Sequence, residues 1–114
     1  MKYMLQVRFN GADEMIHLLP AGEQEKVTAE FIAIRGSSGV LDGNRLQAAN
    51  AAATVRVNGG QTQVTEGPPV EAGAEVSGYY IYDAPDLDAA IAFAVRIPVA
   101  RMGGTVEVRA LVER

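Results

Sequence analysis

Apolar and polar positions alternate from Lys2 to Phe9, with Tyr3, Leu5, Val7 and Phe9 on one side and Lys2, Met4, Gln6 and Arg8 on the other. A period of two predicts a strand. Asn10-Gly11 breaks it, and Ala12 to Gly22 reads as a loop with a short helical turn. From Glu23 to about Ser38, Val27, Phe31 and Ile34 recur at i, i+4, i+7, the spacing of an amphipathic helix. Glu23 and Glu25 suit the positive end of its dipole. Two ends are open: Gly36 inside the helix would cost about 1 kcal/mol relative to alanine, while Gly39 would make a good left-handed cap, and the helix is expected to run on to Gly39.

Leu46 to Ala52 is weakly patterned, a short strand or an extended link. Ala53, Val55 and Val57 then alternate with Thr54 and Arg56, followed by Asn58-Gly59 and a second alternating run from Thr62 to Thr65. Asn-Gly between two such runs predicts a tight hairpin, with Gly60 leaving room for a bulge. After Pro68-Pro69 the stretch from Glu75 to Tyr82 reads as the next strand of the sheet. Asp86 is a natural N-cap for a second helix, with Leu87, Ala90, Ile91 and Ala94 on one face and Pro98 ending the run. Gly103-Gly104 leads into a last strand from Thr105 to Val112, with Glu107, Arg109 and Leu111 opposite its valine face. The order strand, helix, hairpin, strand, helix, strand predicts an α+β, ferredoxin-like domain, with both helices on one face of a mainly antiparallel sheet.

Composition narrows what such a domain can do. At 114 residues the chain reads as one domain, able to bury roughly two thirds of its unfolded surface without staples. With no cysteine, disulfides, thiolate catalysis and Cys-ligated zinc are excluded. The net charge is −4, and Lys and Arg form no cluster, which argues against nucleic-acid binding. No long apolar run points to a membrane, and a cytoplasmic setting is expected. No phosphate-binding glycine loop, zinc spacing or Ser-His-Asp set is visible, so no cofactor is called for.

The candidate chemistry lies in and around Thr65 to Tyr82. Glu66 and Glu71 flank Gly67, Pro68 and Pro69. If the turn folds back, both carboxylates face one cavity, where burial and repulsion raise one pKa; otherwise they are solvated loop acids. Tyr80 and Tyr82 share one face of their strand and Tyr79 takes the other; each is a core aromatic or a phenol facing a groove. Glu107 and Arg109 share the non-helical face of the last strand, with Gln6 and Arg8 expected opposite. Arg101 is an anion clamp or a surface guanidinium. His17, the only histidine, has no orienting partner suggested by spacing, which favours a structural or solvated role over general-base chemistry.

The opening KYML, the hairpin core ATVRV, the run EGPPVEAGAEVSGYYIYDAPDLDAAIAFA, then IPVAR and GTVEVR resemble the YCII-related family, in particular its DGPF branch, over Met1 to Arg109. The resemblance implies a ferredoxin-like domain that pairs sheet to sheet as a dimeric α/β barrel. Gly67, Pro68 and Glu71 match the branch's motif core; Gly78, Tyr79 and Tyr80 match its Gly-aromatic strand; Arg101, Glu107 and Arg109 match its C-terminal pattern. The motif Asp is Glu66 here, its Phe is Pro69, Gly73 stands where a basic residue is expected, Met102 replaces an aromatic, and Gly104 is an added residue.

Two functions follow. One is a small-molecule-binding or accessory homodimer with a degenerate motif loop. The other is a cofactor-independent enzyme working by proton transfer on a small polar substrate, with Glu66 or Glu71 as base, Tyr79 as donor and Arg101 or Arg109 as anion clamp. In either case Arg8, Gly67, Pro68, Arg101, Glu107 and Arg109 are the expected binding residues.

Overall fold

The computed structural model describes residues 1–10, 16–69 and 75–113. Its elements are β1 (Lys2–Arg8), α1 (Ala21–Arg35), β2 (Val40–Arg45), β3 (Ala53–Asn58), β4 (Gln61–Glu66), β5 (Val76–Asp83), α2 (Leu87–Ala94) and β6 (Thr105–Ala110). Short 3-10 turns occupy Ala49–Ala51 and Pro98–Arg101. The main sheet runs β2-β5-β1-β6, antiparallel throughout. With the β3–β4 hairpin set aside, this is the ferredoxin-like α+β topology expected from the element order.

β1 is the centre of the sheet because it pairs with β5 on one side and β6 on the other. Its alternation becomes burial. Tyr3, Leu5 and Val7 face the helices and are buried, while Met4, Gln6 and Arg8 lie half-buried on the opposite, open face. The core joins these residues to Ile34 of α1, to Ala90, Phe93 and Ala94 of α2, and to Ile97 and Val99 beyond. Tyr82 of β5 stacks on Phe93 at 4.1 Å between ring centroids, with Arg96 over the same ring. Such a stack adds about 0.5–1.5 kcal/mol beyond burial. α2 begins as the sequence predicts: the Asp86 carboxylate accepts the amide of Ala89 at 2.9 Å.

Four features differ from the sequence reading. The second core strand is Val40–Arg45, which the apolar pattern does not announce, because Gly43 is its one buried residue. A Cβ on Gly43 would stand 2.6 Å from the ring of Tyr80; the aromatic on β5 fills the space that a β2 side chain would otherwise take. The hairpin is a separate two-stranded sheet inserted between β2 and β5, not part of the main sheet. Its turn residues are Gly59 and Gly60, both at positive φ, rather than Asn58-Gly59. Finally, α1 starts at Ala21 and stops at Arg35 with Gly36 as its cap; Gly39, at φ +94°, instead opens β2.

α1 lies on the sheet unevenly. Ile34, near its C-terminal end, enters the core, whereas Val27 is buried outside that contiguous cluster. Arg101 Nη2 bridges both carboxylate oxygens of Glu30, at 2.6 and 2.8 Å, and so tethers α1 to the Pro98–Arg101 turn. Being partly exposed, this pair is worth at most about 1 kcal/mol. Among the described residues no helix is long and apolar enough to cross a membrane.

Candidate functional site

The sequence-predicted residues fall in three places. Tyr79, Arg8, Glu107 and Arg109 share the open face of the sheet, where Gln6 pairs with both Tyr79 and Glu107. Arg8 is opposite Thr105 rather than Glu107. On that face Tyr79 donates its hydroxyl to Asp42 Oδ2 at 3.2 Å and accepts from Asn44 Nδ2 at 3.0 Å. Arg8 donates to Gln6 at 3.1 Å, and Arg109 pairs with Glu107 at 3.1 Å.

Glu66, Gly67 and Pro68 sit instead at the end of the hairpin. Gly67 adopts φ +88°; its amide donates to Ala52 O at 2.7 Å and its carbonyl accepts the Thr54 hydroxyl at 2.6 Å. These bonds close the base of the hairpin, and Glu66 and Pro68 are exposed. Glu71 lies outside the described residues. Arg101, the third location, is held by Glu30.

A cavity of about 480 Å³ occupies a fourth place, between α1 and the β2–β5 edge of the sheet. The stripe Gln24, Thr28, Phe31, Arg35, spaced four, three, four, presents one side of α1 to it. The strands contribute Gly43, Asn44 and Arg45 from β2 and Val76 to Tyr80 from β5, with Val7 and Val99 at the core side. Of the sequence-predicted site residues only Tyr79 is among those lining it. His17 lines it too, so the histidine belongs to the cavity wall, with Gln24 Nε2 donating to its backbone carbonyl at 2.9 Å.

Part of the cavity lining is held by bonds between distant segments. The amide of Glu75 donates to Asn10 Oδ1 at 2.8 Å, its carbonyl accepts from Phe9, and its carboxylate accepts the Ala49 amide at 3.2 Å. The chain therefore returns from the hairpin to the sheet at a fixed position. On the sheet wall, burial pushes the Tyr80 phenol above its ordinary value of 10.0, while Arg35 and Arg45 pull it down. Burial wins, so the phenol is protonated at neutral pH.

Arg35, Arg45 and Glu75 are the charged side chains that join His17 in lining the cavity, and the sequence reading offers none of these three as a site residue, whereas Tyr80 is one of the tyrosines it offers as a core aromatic or a phenol facing a groove. The α1 stripe carried one usable signal, since Phe31 at helical spacing from Gln24, Thr28 and Arg35 mixes an aromatic with polar groups on one line. Arg45 carried none before β2 was placed. Among the described residues no cluster of three His, Asp or Glu could hold a metal ion.

Among curated proteins none matches the chain. The YCII-related domain, by contrast, matches residues 1–113, in agreement with the α+β topology just described. The chain belongs to the YCII-related domain family.

Proposed function

We propose that the protein is a small-molecule-binding domain whose ligand occupies the cavity between α1 and the β2–β5 edge. The observation that carries this reading is the cavity itself. Its 480 Å³ lies within the roughly 300–1,000 Å³ typical of ligand sites, and its apolar wall with a few convergent polar groups is their usual make-up. Catalysis by the acid/base set is the weaker reading. The Tyr79 hydroxyl already donates to Asp42, Arg101 is tied to Glu30, and Glu66 is exposed at the hairpin's end. The turn around Gly67 and Pro68, the chain's version of the DGPF motif, then serves to close the hairpin.

Titration with 2-naphthoate followed by NMR tests the location. Shifts are expected at Val27, Phe31 and Tyr80, and Thr28→Trp should abolish them by filling the space. Shifts confined to the open face, at Met4 and Ile81, would move the site elsewhere.

The domain works, on this reading, as a cytoplasmic homodimer formed through the open face of the sheet. Support comes from the Met4–Ile81 cross-strand pair at its centre, half-buried with no helix of the described residues above it. Pairing there would enclose Arg8, Tyr79, Glu107 and Arg109 between subunits. Light scattering should give about twice the 12.1 kDa chain mass, and Ile81→Glu should halve it; a monomer at micromolar concentration would remove the dimer from the proposal.

A further inference from the structure

The tip of the hairpin holds a reactive dipeptide. The chain has two Asn-Gly pairs, Asn10-Gly11 and Asn58-Gly59, and the fold treats their asparagines differently. Asn10 lies just beyond β1, and its Oδ1 accepts the Glu75 amide at 2.8 Å. That bond ties the carboxamide to another segment and keeps its Cγ from swinging onto the next nitrogen. Asn58 is the last residue of β3 and is exposed. Among the described residues neither its carboxamide nor the amide of Gly59 makes a hydrogen bond.

Gly59 and Gly60 stand at φ +59° and +80°, the values of a type I′ turn. The ladder ends at the Asn58–Gln61 pair, so the Gly59 N–H lies beyond the last rung. A Cβ at Gly59 would meet nothing within 4 Å, and the nitrogen is open to approach. The rest of the hairpin does little to hold this tip. β3 and β4 form a sheet of their own, in which every residue but Thr54 is exposed. A two-stranded hairpin with no covering layer is marginally stable in water, and such segments open locally at small cost. Opening of the end rung lets the backbone of Asn58 rotate and brings its Cγ over the Gly59 nitrogen.

We propose that Asn58 is a site of spontaneous deamidation. The Gly59 nitrogen gives its proton to solvent and attacks Cγ of Asn58. The new N–Cγ bond closes a cyclic imide as the Cγ–Nδ2 bond breaks and ammonia leaves with a proton from water. Water then opens the ring. Opening at Cγ gives aspartate; opening at the backbone carbonyl carbon gives isoaspartate, whose main chain runs through Cγ. Overall, water is consumed, ammonia is released and the hairpin tip gains a carboxylate. The isoaspartate form also lengthens the backbone between the end rung and the turn, where a two-residue loop leaves no slack.

The test warms the full chain in mildly alkaline buffer and follows the peptides containing Asn10 and Asn58 by mass spectrometry, with chromatography separating aspartate from isoaspartate. Asn58 is expected to convert about fivefold faster than Asn10, the factor that one typical hydrogen bond to the Asn10 carboxamide supplies, and to yield both products. In concentrated urea the two sites should convert at equal rates, since both are then Asn-Gly in an unfolded chain. Asn58→Gln, which has a larger ring to close, should remove the fast conversion and leave that of Asn10 unchanged. Equal rates in the folded protein, or a faster Asn10, would overturn the proposal. So would a rate difference that persists in urea, or aspartate without isoaspartate at Asn58.

Discussion

Leu5→Ala is expected to lower the unfolding free energy by about 2–5 kcal/mol, the range for buried large-to-small changes. Leu5 is fully buried at the middle of β1, opposite Tyr80 on one neighbour and Val108 on the other. A strand hydrogen-bonded on both sides cannot move in to close the hole, which puts the cost in the upper part of that range. Native domains are stable by only about 5–15 kcal/mol, so the variant should melt at much lower urea concentration with an unchanged slope. Val57→Ala is the matched control: Val57 is 69% exposed in the hairpin, and its loss should fall within about 0.5 kcal/mol of zero. A Leu5→Ala cost below that of Val57→Ala would mean that β1 is not the structural centre.

Gly104→Ala should be the next most damaging of the changes considered, at about 1–3 kcal/mol by overpacking. A Cβ there would meet the Phe9 ring at 2.6 Å and the Arg8 carbonyl oxygen at 2.8 Å, and would press on Val99 Cγ1. The aromatic ring could turn aside. The carbonyl belongs to the β1–β6 ladder, where Arg8 pairs with Thr105, and cannot shift without disturbing that register. This gives a reason for Gly104, an added residue relative to the family pattern: it lets the chain pass close to β1 on its way from the Pro98–Arg101 turn into β6. Gly22→Ala supplies the opposite sign. It lies in α1 with nothing within 4 Å of the new atom, so alanine should be neutral or stabilising by up to about 1 kcal/mol. Thermal denaturation of the two variants side by side checks both directions.

The parts of the fold that were readable in the sequence are those in which burial writes itself as a period. β1 and β6 alternate apolar with polar residues along the chain, β5 reads as an apolar, aromatic run, and the Asp86 cap announces α2. β2 was hidden for a physical reason. Its inward position is a glycine, and the mass opposite it comes from Tyr80 on another strand, so the letters VLDGNR show no apolar rhythm. The hairpin misled in the reverse direction. Val55, Val57 and Val64 alternate as core residues do, yet all are exposed, because propensity for a pleated surface fixes the local conformation and says nothing about what covers it. The candidate site followed from these two errors. A turn rich in glycine and proline drew attention to Glu66, while a cavity made by β2 and one stripe of α1 could be seen only after both elements were in place. Arg35 and Arg45 look unremarkable in the chain, and only the crossing of helix and edge strand puts them on the same cavity.

The hairpin's attachment has a consequence for how the protein can change. Arg45 and Gly78 are partners in the sheet, and the Leu46 amide donates to Ser77 O at 2.9 Å, so the whole excursion departs and returns at adjacent rungs. To the four main strands it is one long loop, and doubling the length of such a loop costs only about 0.6 kcal/mol in closure entropy. Yet its two roots, Leu46 to Ala48 and Glu75, line the cavity. Insertions and deletions along the excursion can therefore reshape that wall of the cavity while the scaffold beneath stays as it is.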